Sequence, residues 1–374
     1  MVTATQSRNP LFNANRMKLG TFATNTIGSI HTAAPDGWNP TWENSLRAAK
    51  MADSAGFEAM LGLARWKSAN PGPIDHRGGV VLDPFTWAAG IAMATNYSAV
   101  FATSHAPTMH PLVVAKQAAT IDHISGGRFG LNVVGGWNRR EFDMFGQPLA
   151  DHDARYDYLD EWIEVLEKLW SSTEEFDFEG KFLKLTGAMS MPHPVQQPRP
   201  VIMNAGISGR GQRFACAHAD FCFVAPGLGK AEIEGYKNLA RNEFGREVGV
   251  WMQMPVVQRE TRQEAEDLLN YFAVQHEDKA TVNAWIAGMA SESRSLKGGQ
   301  ASFSRLVVAC GGPPIVGTAA DIADQISKLS EIGIDGMLLS WFDFHDGLER
   351  FTDGVMPLLE QRGLREPFRP AAQA

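Results

Sequence analysis

Asn132 is the lone polar side chain in the apolar part of the run Arg128–Val134 (RFGLNVV). Such a run reads as a strand buried on both faces, as in a parallel sheet. An amide there carries two donors and an acceptor that must be met by neighbouring backbone or by a bound ligand. The residue alone leaves both open. A second small-residue run, Ser98–His105, closes on Thr103, Ser104 and His105. Thr103 is an ordinary strand residue or a hydroxyl donor at a site; His105 can serve as a base, a ligand or a loop residue. Trp137 follows Gly135-Gly136, Asn204 precedes Ala205-Gly206, and Asp343 and His345 follow another apolar run.

The segment Gly206-Ile207-Ser208-Gly209-Arg210-Gly211 lies between strand-like and helix-like stretches. Backbone N–H groups and a serine hydroxyl at a helix N-terminus can hold an anion; the same glycines also suit a merely tight turn. The lysine of a P-loop is missing and the pattern is not G-x-S-x-G, which argues against an NTPase and a serine hydrolase. The ten histidines are scattered, with no HExxH, so metal-assisted hydrolysis gains no support.

Strand-like segments alternate with helix-like ones. Strands are expected over 17–23, 58–63, 98–105, 128–134, 200–206, 221–225, 250–257 and 336–342. A helix over 41–55 presents Trp42, Leu46 and Ala49 on one face. Others cover 112–124 and 155–170, the latter with Leu159, Trp162, Leu166 and Leu169 in a stripe. A hairpin is expected around Gly180, and a final helix carries Leu348, Phe351, Val355 and Leu358. This alternation predicts a parallel sheet. Seven or eight strands with no break favour an α/β TIM (β/α)₈ barrel with insertions, ahead of a doubly wound sheet. The polar residues above then fall at the C-terminal strand ends, where barrels place their chemistry. The expected organisation is a loose arm over residues 1–16, one barrel over 17–361 and a tail over 362–374. Residues 262–314 are too long for a simple connection and read as an insertion over the mouth, a candidate lid.

Apolar residues make up 44% of the 374, enough for a large core. The net charge of −8 disfavours a nucleic-acid or anionic-membrane surface. The three cysteines form no CxxC, and no run of 18 apolar residues occurs. Cytoplasmic residence fits both observations.

The stretch AATIDHISGGRF (118–129), followed by GLNVVGGWNRREFDMFG and ARYDYLDEWIEVLEKLW, resembles the bacterial luciferase-like flavin monooxygenases. It is similar to the pyrimidine, dimethyl sulfone and alkanesulfonate monooxygenases among them. The resemblance runs from Met17 to about Pro357. It implies a TIM barrel that binds FMN, as FMNH₂, at its C-terminal mouth and uses O₂ to oxygenate a small heteroaromatic, amide or organosulfur substrate through a flavin (hydro)peroxide. It also implies a separate NAD(P)H:flavin reductase and a homodimer or homotetramer. By the same resemblance, Thr103 and Asn132 stand where oxygen meets the flavin. Ala64, Arg65, Asn132, Glu141, Arg155, Tyr156 and Ser208 contact FMN, and Trp137 forms an apolar wall. The pyrimidine enzymes carry Ile-Lys where this chain has Ala64-Arg65. Their Gly28–Pro40 loop and insertion also differ, so the substrate pocket is this chain's own. Arg65 and His105 are the candidates for polarising the substrate. Two other readings are an F420-dependent hydride-transfer oxidoreductase of the same superfamily and a non-catalytic flavin-binding subunit.

Overall fold

The computed structural model describes residues 9–28, 30–68, 76–149, 151–284 and 313–369. Eight parallel strands close into a ring: β1 (Lys18–Phe22), β2 (Ala59–Gly62), β3 (Ala99–His105), β4 (Phe129–Val134), β7 (Val201–Asn204), β8 (Phe221–Val224), β9 (Gly249–Gln258) and β11 (Gly336–Ser340). The ring order is β9-β11-β1-β2-β3-β4-β7-β8, and β8 returns to pair with β9. This is the TIM (β/α)₈ barrel with insertions that the alternation predicted; a doubly wound sheet does not close. One insertion is the antiparallel hairpin β5 (Phe176–Glu179) and β6 (Lys184–Ala188), whose turn donates three backbone N–H groups to the Glu161 carboxylate. Another is the short β10 (Ile315–Gly317), which adds to the upper end of β9.

Side chains alternate across a strand, so each barrel strand feeds two cores. Inward residues Ala59, Leu61, Ala99, Phe101, Val201, Met203, Phe221, Trp251 and Leu338 fill the barrel as one cluster. Their outward neighbours, such as Met60, Val100, Leu131, Ile202, Val250 and Leu339, pack under the helices. Gly130 makes the interior possible at one point: a Cβ there would lie 2.3 Å from the Phe101 ring.

The helices are α1 (Trp42–Ser54), α2 (Pro84–Ala94), α3 (Pro111–Ser125), the short α4 (Arg139–Met144), α5 (His152–Ser171), α6 (Gly209–His218), α7 (Lys230–Phe244), α8 (Arg262–Asn270) and three pieces after β10. The stripe Leu159, Trp162, Leu166 and Leu169 of α5 is buried as its spacing required. The buried face of α1 differs from the sequence reading. Ser45, Ala48, Ala49 and Ala52 face the sheet, and Trp42 stays 39% exposed. Small residues let the helix approach closely, and Trp42 instead lies over Gly90 of α2. The final helix is also not continuous. It runs Phe344–Arg350, opens into a π turn over Phe351–Val355, and resumes at Met356–Gln361. Pro357 lacks the N–H of an α-helical bond and clashes with the carbonyl four residues back, which the wider turn relieves.

Residues 9–16 do not form the loose arm that their polarity suggested. Asn9 caps a short 3₁₀ turn, and Leu11, 1% exposed, plugs the barrel floor. Asn13 and Asn15 donate to Glu58 Oε1 at 2.9 and 2.6 Å. The tail is anchored as well: Arg365 meets Glu58 Oε2 at 2.8 Å, both side chains being essentially inaccessible. A buried carboxylate needs such partners, which is why polar residues here become fixed. Of the expected 262–314 insertion, α8 and Phe272 pack with Ile30, Ala34 and Phe342, and Thr32 bridges Glu277. Residues 285–312, on which the lid expectation rests, lie outside the described residues.

Candidate active site

Thr103 and Asn132 are register partners on β3 and β4. Phe101, two residues before Thr103, belongs to the interior cluster, so alternation turns Thr103 and then His105 inward above it. Asn132 Nδ2 donates to Thr103 Oγ1 at 3.1 Å. Asn132 Oδ1 is buried and accepts no hydrogen bond among the described residues. Buried acceptors are rarely left unmet. The pair therefore offers a ligand one acceptor, Asn132 Oδ1, and one donor, the Thr103 hydroxyl proton. The neighbouring backbone therefore does not meet this acceptor among the described residues.

His105 Nδ1 lies 3.4 Å from Glu141 Oε2. That is ion-pair distance without hydrogen-bond alignment, since Nδ1 has no hydrogen-bond partner among the described residues. Glu141 sits on α4, 2% exposed, and its Oε1 accepts the N–H groups of Trp66 and Lys67 at 3.0 and 3.4 Å. Burial alone would raise its pKa. His105, the Trp66 N–H and the Arg65 charge outweigh burial and hold it below the usual carboxylate range. Glu141 thus ties the loop after β2 to the end of β3. Asn138 and Arg140 add to the same seam by donating to Lys67 O and Ser68 O at 3.2 and 2.8 Å.

Ala64 and Arg65 follow β2 directly, held there by Asn25, which bonds both the N–H and the carbonyl of Leu63. Ala64 is buried and Arg65 half-buried. Trp137, beyond Gly136 at φ +69°, is 36% exposed. His31, which the sequence reading passed over, is buried nearby; desolvation, then the Arg65 charge, push its pKa down to about 3, so it is neutral.

The third group sits at the heads of two helices. Ser208 caps α6 by accepting the Gly211 N–H at 3.0 Å, which leaves its own hydroxyl proton to give. Tyr156, in the first turn of α5, brings its hydroxyl against Gly211, where a Cβ would lie 2.4 Å from it. Arg155 beside it is buried, its Cβ 4.0 Å from where a Cβ on Gly135 would stand, just past β4. Asn204 fixes the strand side by donating to Val133 O at 2.7 Å and accepting from the Gly206 N–H at 2.8 Å. Arg210 is engaged with Asp157 and Asp160. A helix N-terminus with the Ser208 and Tyr156 hydroxyls meeting at Gly211 suits a phosphate, and the unmet Asn132 Oδ1 suits a ring N–H. Both fit a flavin mononucleotide.

Sequence reasoning also missed Gln253 and Ser340, inward-facing on β9 and β11 and joined at 3.3 Å. Asp343 and His345, in contrast, are drawn into capping: Asp343 accepts two N–H groups of the next helix, and His345 Nε2 contacts Asn44 O. A cleft of about 1150 Å³ opens at the opposite end of the barrel, between Leu11, Lys18, Asp220 and Asp335. Its charges are paired with one another, Arg199 with Asp220 and Lys237 with Asp335. That face of a barrel serves stability. Among the described residues no three His, Cys, Asp or Glu side chains cluster as metal ligands, and no helix is long and apolar enough to cross a membrane.

A family model described as luciferase-like monooxygenase matches residues 17–336. The pyrimidine monooxygenase RutA of Klebsiella pneumoniae is 32% identical over 365 residues, covering 92% of this chain and 97% of that protein. Among solved structures, a long-chain alkane monooxygenase superposes with TM-score 0.83 at 23% identity, covering 97% of this chain and 94% of the other. A riboflavin lyase with modified FMN and riboflavin does so with TM-score 0.81 at 23% identity, over 95% and 94%.

Proposed function

Since the chain belongs to the luciferase-like monooxygenase family, we propose that it is the oxygenating component of a two-component enzyme. It takes FMNH₂ from a separate NAD(P)H:flavin reductase and uses O₂ to oxygenate a small heteroaromatic, amide or organosulfur substrate. Cytoplasmic residence and assembly as a homodimer or homotetramer belong to the same reading. The observation that carries it is the buried Thr103–Asn132 pair with its unmet Oδ1.

Bound reduced flavin would supply the electrons and the reactive partner for O₂; the protein supplies position, dryness and proton control. Arg155, the hydroxyls of Tyr156 and Ser208, and the first N–H groups of α6 hold the phosphate. Asn132 Oδ1 would accept from the ring and the Thr103 hydroxyl would donate to the bound group, the two side chains holding each other in place. Ala64, Arg65 and Trp137 wall the ring, with Glu141 keeping the Arg65 loop in place. Because Nδ1 of His105 faces Glu141, Nε2 is the atom that exchanges a proton with substrate, and Arg65 polarises it. The apolar barrel interior beneath excludes water.

The test is a titration of the purified protein with FMN, FMNH₂ and F420, followed by rapid mixing of the tightest reduced complex with O₂. Tight FMNH₂ binding with a transient absorbance change on meeting O₂ is the expected result. Preference for F420 without an oxygen reaction would replace this reading with hydride transfer. FMNH₂ binding with no reaction would leave a non-catalytic flavin-binding subunit.

A further inference from the structure

Three segments beyond the C-terminal strand ends are tied to one another by polar contacts: residues 30–40 after β1, 76–79 after β2 and 272–281 after α8. Ala33 N donates to His276 O at 2.7 Å, and Thr32 Oγ1 to Phe272 O at 2.7 Å, joining the first to the third. Arg77 joins the first to the second, donating through Nη2 to Gly37 O and Trp38 O at 2.8 Å each. His76 and Asp278 close the triangle, with His76 Nε2 2.9 Å from Asp278 Oδ2. His76 Nδ1 accepts the Gly78 N–H at 3.2 Å, so Nε2 carries the proton and donates to the carboxylate. Thr281 completes the knot. It gives its hydroxyl to Asp278 Oδ2 at 2.6 Å and its N–H to Oδ1 at 3.1 Å. Burial would raise the Asp278 pKa. The Thr281 hydroxyl and N–H, then the His76 ring, outweigh burial and hold it below the usual carboxylate range.

The knot reaches the proposed flavin site through the loop after β2. A Cβ on Gly79 would lie 3.3 Å from Ser68 N, so the 76–79 turn packs directly on Ser68. Ser68 O accepts from Arg140 of α4 at 2.8 Å, and Glu141 of α4 accepts the Trp66 N–H at 3.0 Å. Arg65 stands on the same loop. Its charge, that of Asp278 and the His76 ring all act on the buried His31, which sets the knot beside Arg65. Ordering three loops costs conformational entropy, and burying a carboxylate costs more unless it is paired. Loops over the C-terminal strand ends are where a barrel places chemistry. We propose that His76 and Asp278 are positioning residues, locking three mouth loops into one wall that sets Arg65 against the bound flavin and keeps water from it. The proposal rests on the functional reading above and adds two residues that act through the Arg65 loop.

The test uses the purified protein loaded with FMNH₂ and mixed with air-saturated buffer without substrate. Under the functional reading FMNH₂ and O₂ then yield FMN and H₂O₂, and a dry site makes that release slow. Peroxide release, FMN affinity and thermal melts are measured for the wild type, Asp278→Ala, His76→Ala and His76→Gln. Glutamine places an amide N–H where His76 Nε2 stands, so His76→Gln is expected to keep the wild-type rate. Both alanine variants are expected to release peroxide ~10-fold faster or more, within the range that a misplacement of ~1 Å produces. Their FMN Kd is expected to stay unchanged. His76→Ala carries the test should Asp278→Ala unfold. A lowered melting temperature with peroxide release at the wild-type rate would make the knot structural only, and overturns the proposal. So does equal acceleration in His76→Gln and His76→Ala, or FMN binding that weakens in step with faster release; the monooxygenase reading then stands. A wild type that binds FMNH₂ without reacting with O₂ fails that reading first, and takes this proposal with it.

Discussion

At the scale of single residues, the site is a set of polar groups whose partners are fixed before any ligand arrives. Asn132 is held by Thr103 and keeps its Oδ1 unmet. Asn132→Ala is expected to reduce product formation at least ~100-fold, in line with loss of one positioned polar group at a reacting centre. The cost in stability is about 1 kcal/mol or less, because the lost hydrogen bond is single. Turnover assays paired with thermal melts decide this, and wild-type turnover in the variant removes Asn132 from the site. His31 makes a prediction of another kind. Its pKa lies at about 3 in the folded protein against 6.5 ordinarily, through burial first and Arg65 second. Between those values the unfolded chain binds a proton there that the folded protein refuses. Stability from this residue is therefore complete above pH 6.5 and falls as the pH drops. From pH 7 to 5 the loss amounts to about 2 kcal/mol. His31→Gln should flatten that part of the profile in urea unfolding at the two pH values; parallel profiles would show that His31 is protonated at no such cost.

At the scale of elements, the proposed phosphate cradle depends on how α5 and α6 begin. Ser208 both caps α6 and offers its proton outward, and Gly211 admits the Tyr156 hydroxyl. Ser208→Ala is expected to weaken FMN binding by about tenfold and to lower stability by ~1 kcal/mol, the usual worth of a cap. A fluorescence titration reads the first and a melt the second. A melt that shifts while the FMN Kd stays put would reduce Ser208 to a cap alone. The elements were also where sequence patterns spoke most clearly. Asn132 stood out because RFGLNVV is otherwise apolar beyond its arginine, and the stripe of α5 because its spacing is helical. The same logic applied to VWMQMPVV would have flagged Gln253. Ser340 offered no comparable signal, since serine is common at strand ends. The α1 face was misread because large apolar residues draw attention, whereas close helix-to-sheet packing selected the small ones.

At the scale of the molecule, the segments around Asn13–Asn15 and Arg365 are locked beneath the barrel through one carboxylate. Glu58 accepts from Asn13, Asn15, the Leu19 N–H and Arg365, none of them adjacent in sequence. Arg365→Met leaves a buried charge uncompensated and is expected to cost about 3–5 kcal/mol. Chemical unfolding measures it, and the double variant Glu58→Leu with Arg365→Met should recover part of the loss. Flavin binding at 25 °C should persist in the folded fraction, because the lock lies at the end of the barrel opposite the site. A loss below ~1 kcal/mol for Arg365→Met would mean that the tail is not part of the folded unit.

The alternation of strands and helices, the parallel barrel and the identity of Thr103 and Asn132 as mouth residues were all written in local pattern. Period and strand order are properties of neighbouring residues, and they survive without coordinates. The unmet Asn132 Oδ1, the neutral His31, the Glu141 seam, the Glu58–Arg365 lock and the Gln253–Ser340 pair were not. Each depends on groups from different strands or loops meeting in a buried space. Burial there changes the energy of a polar group according to partners that only the closed barrel brings within reach.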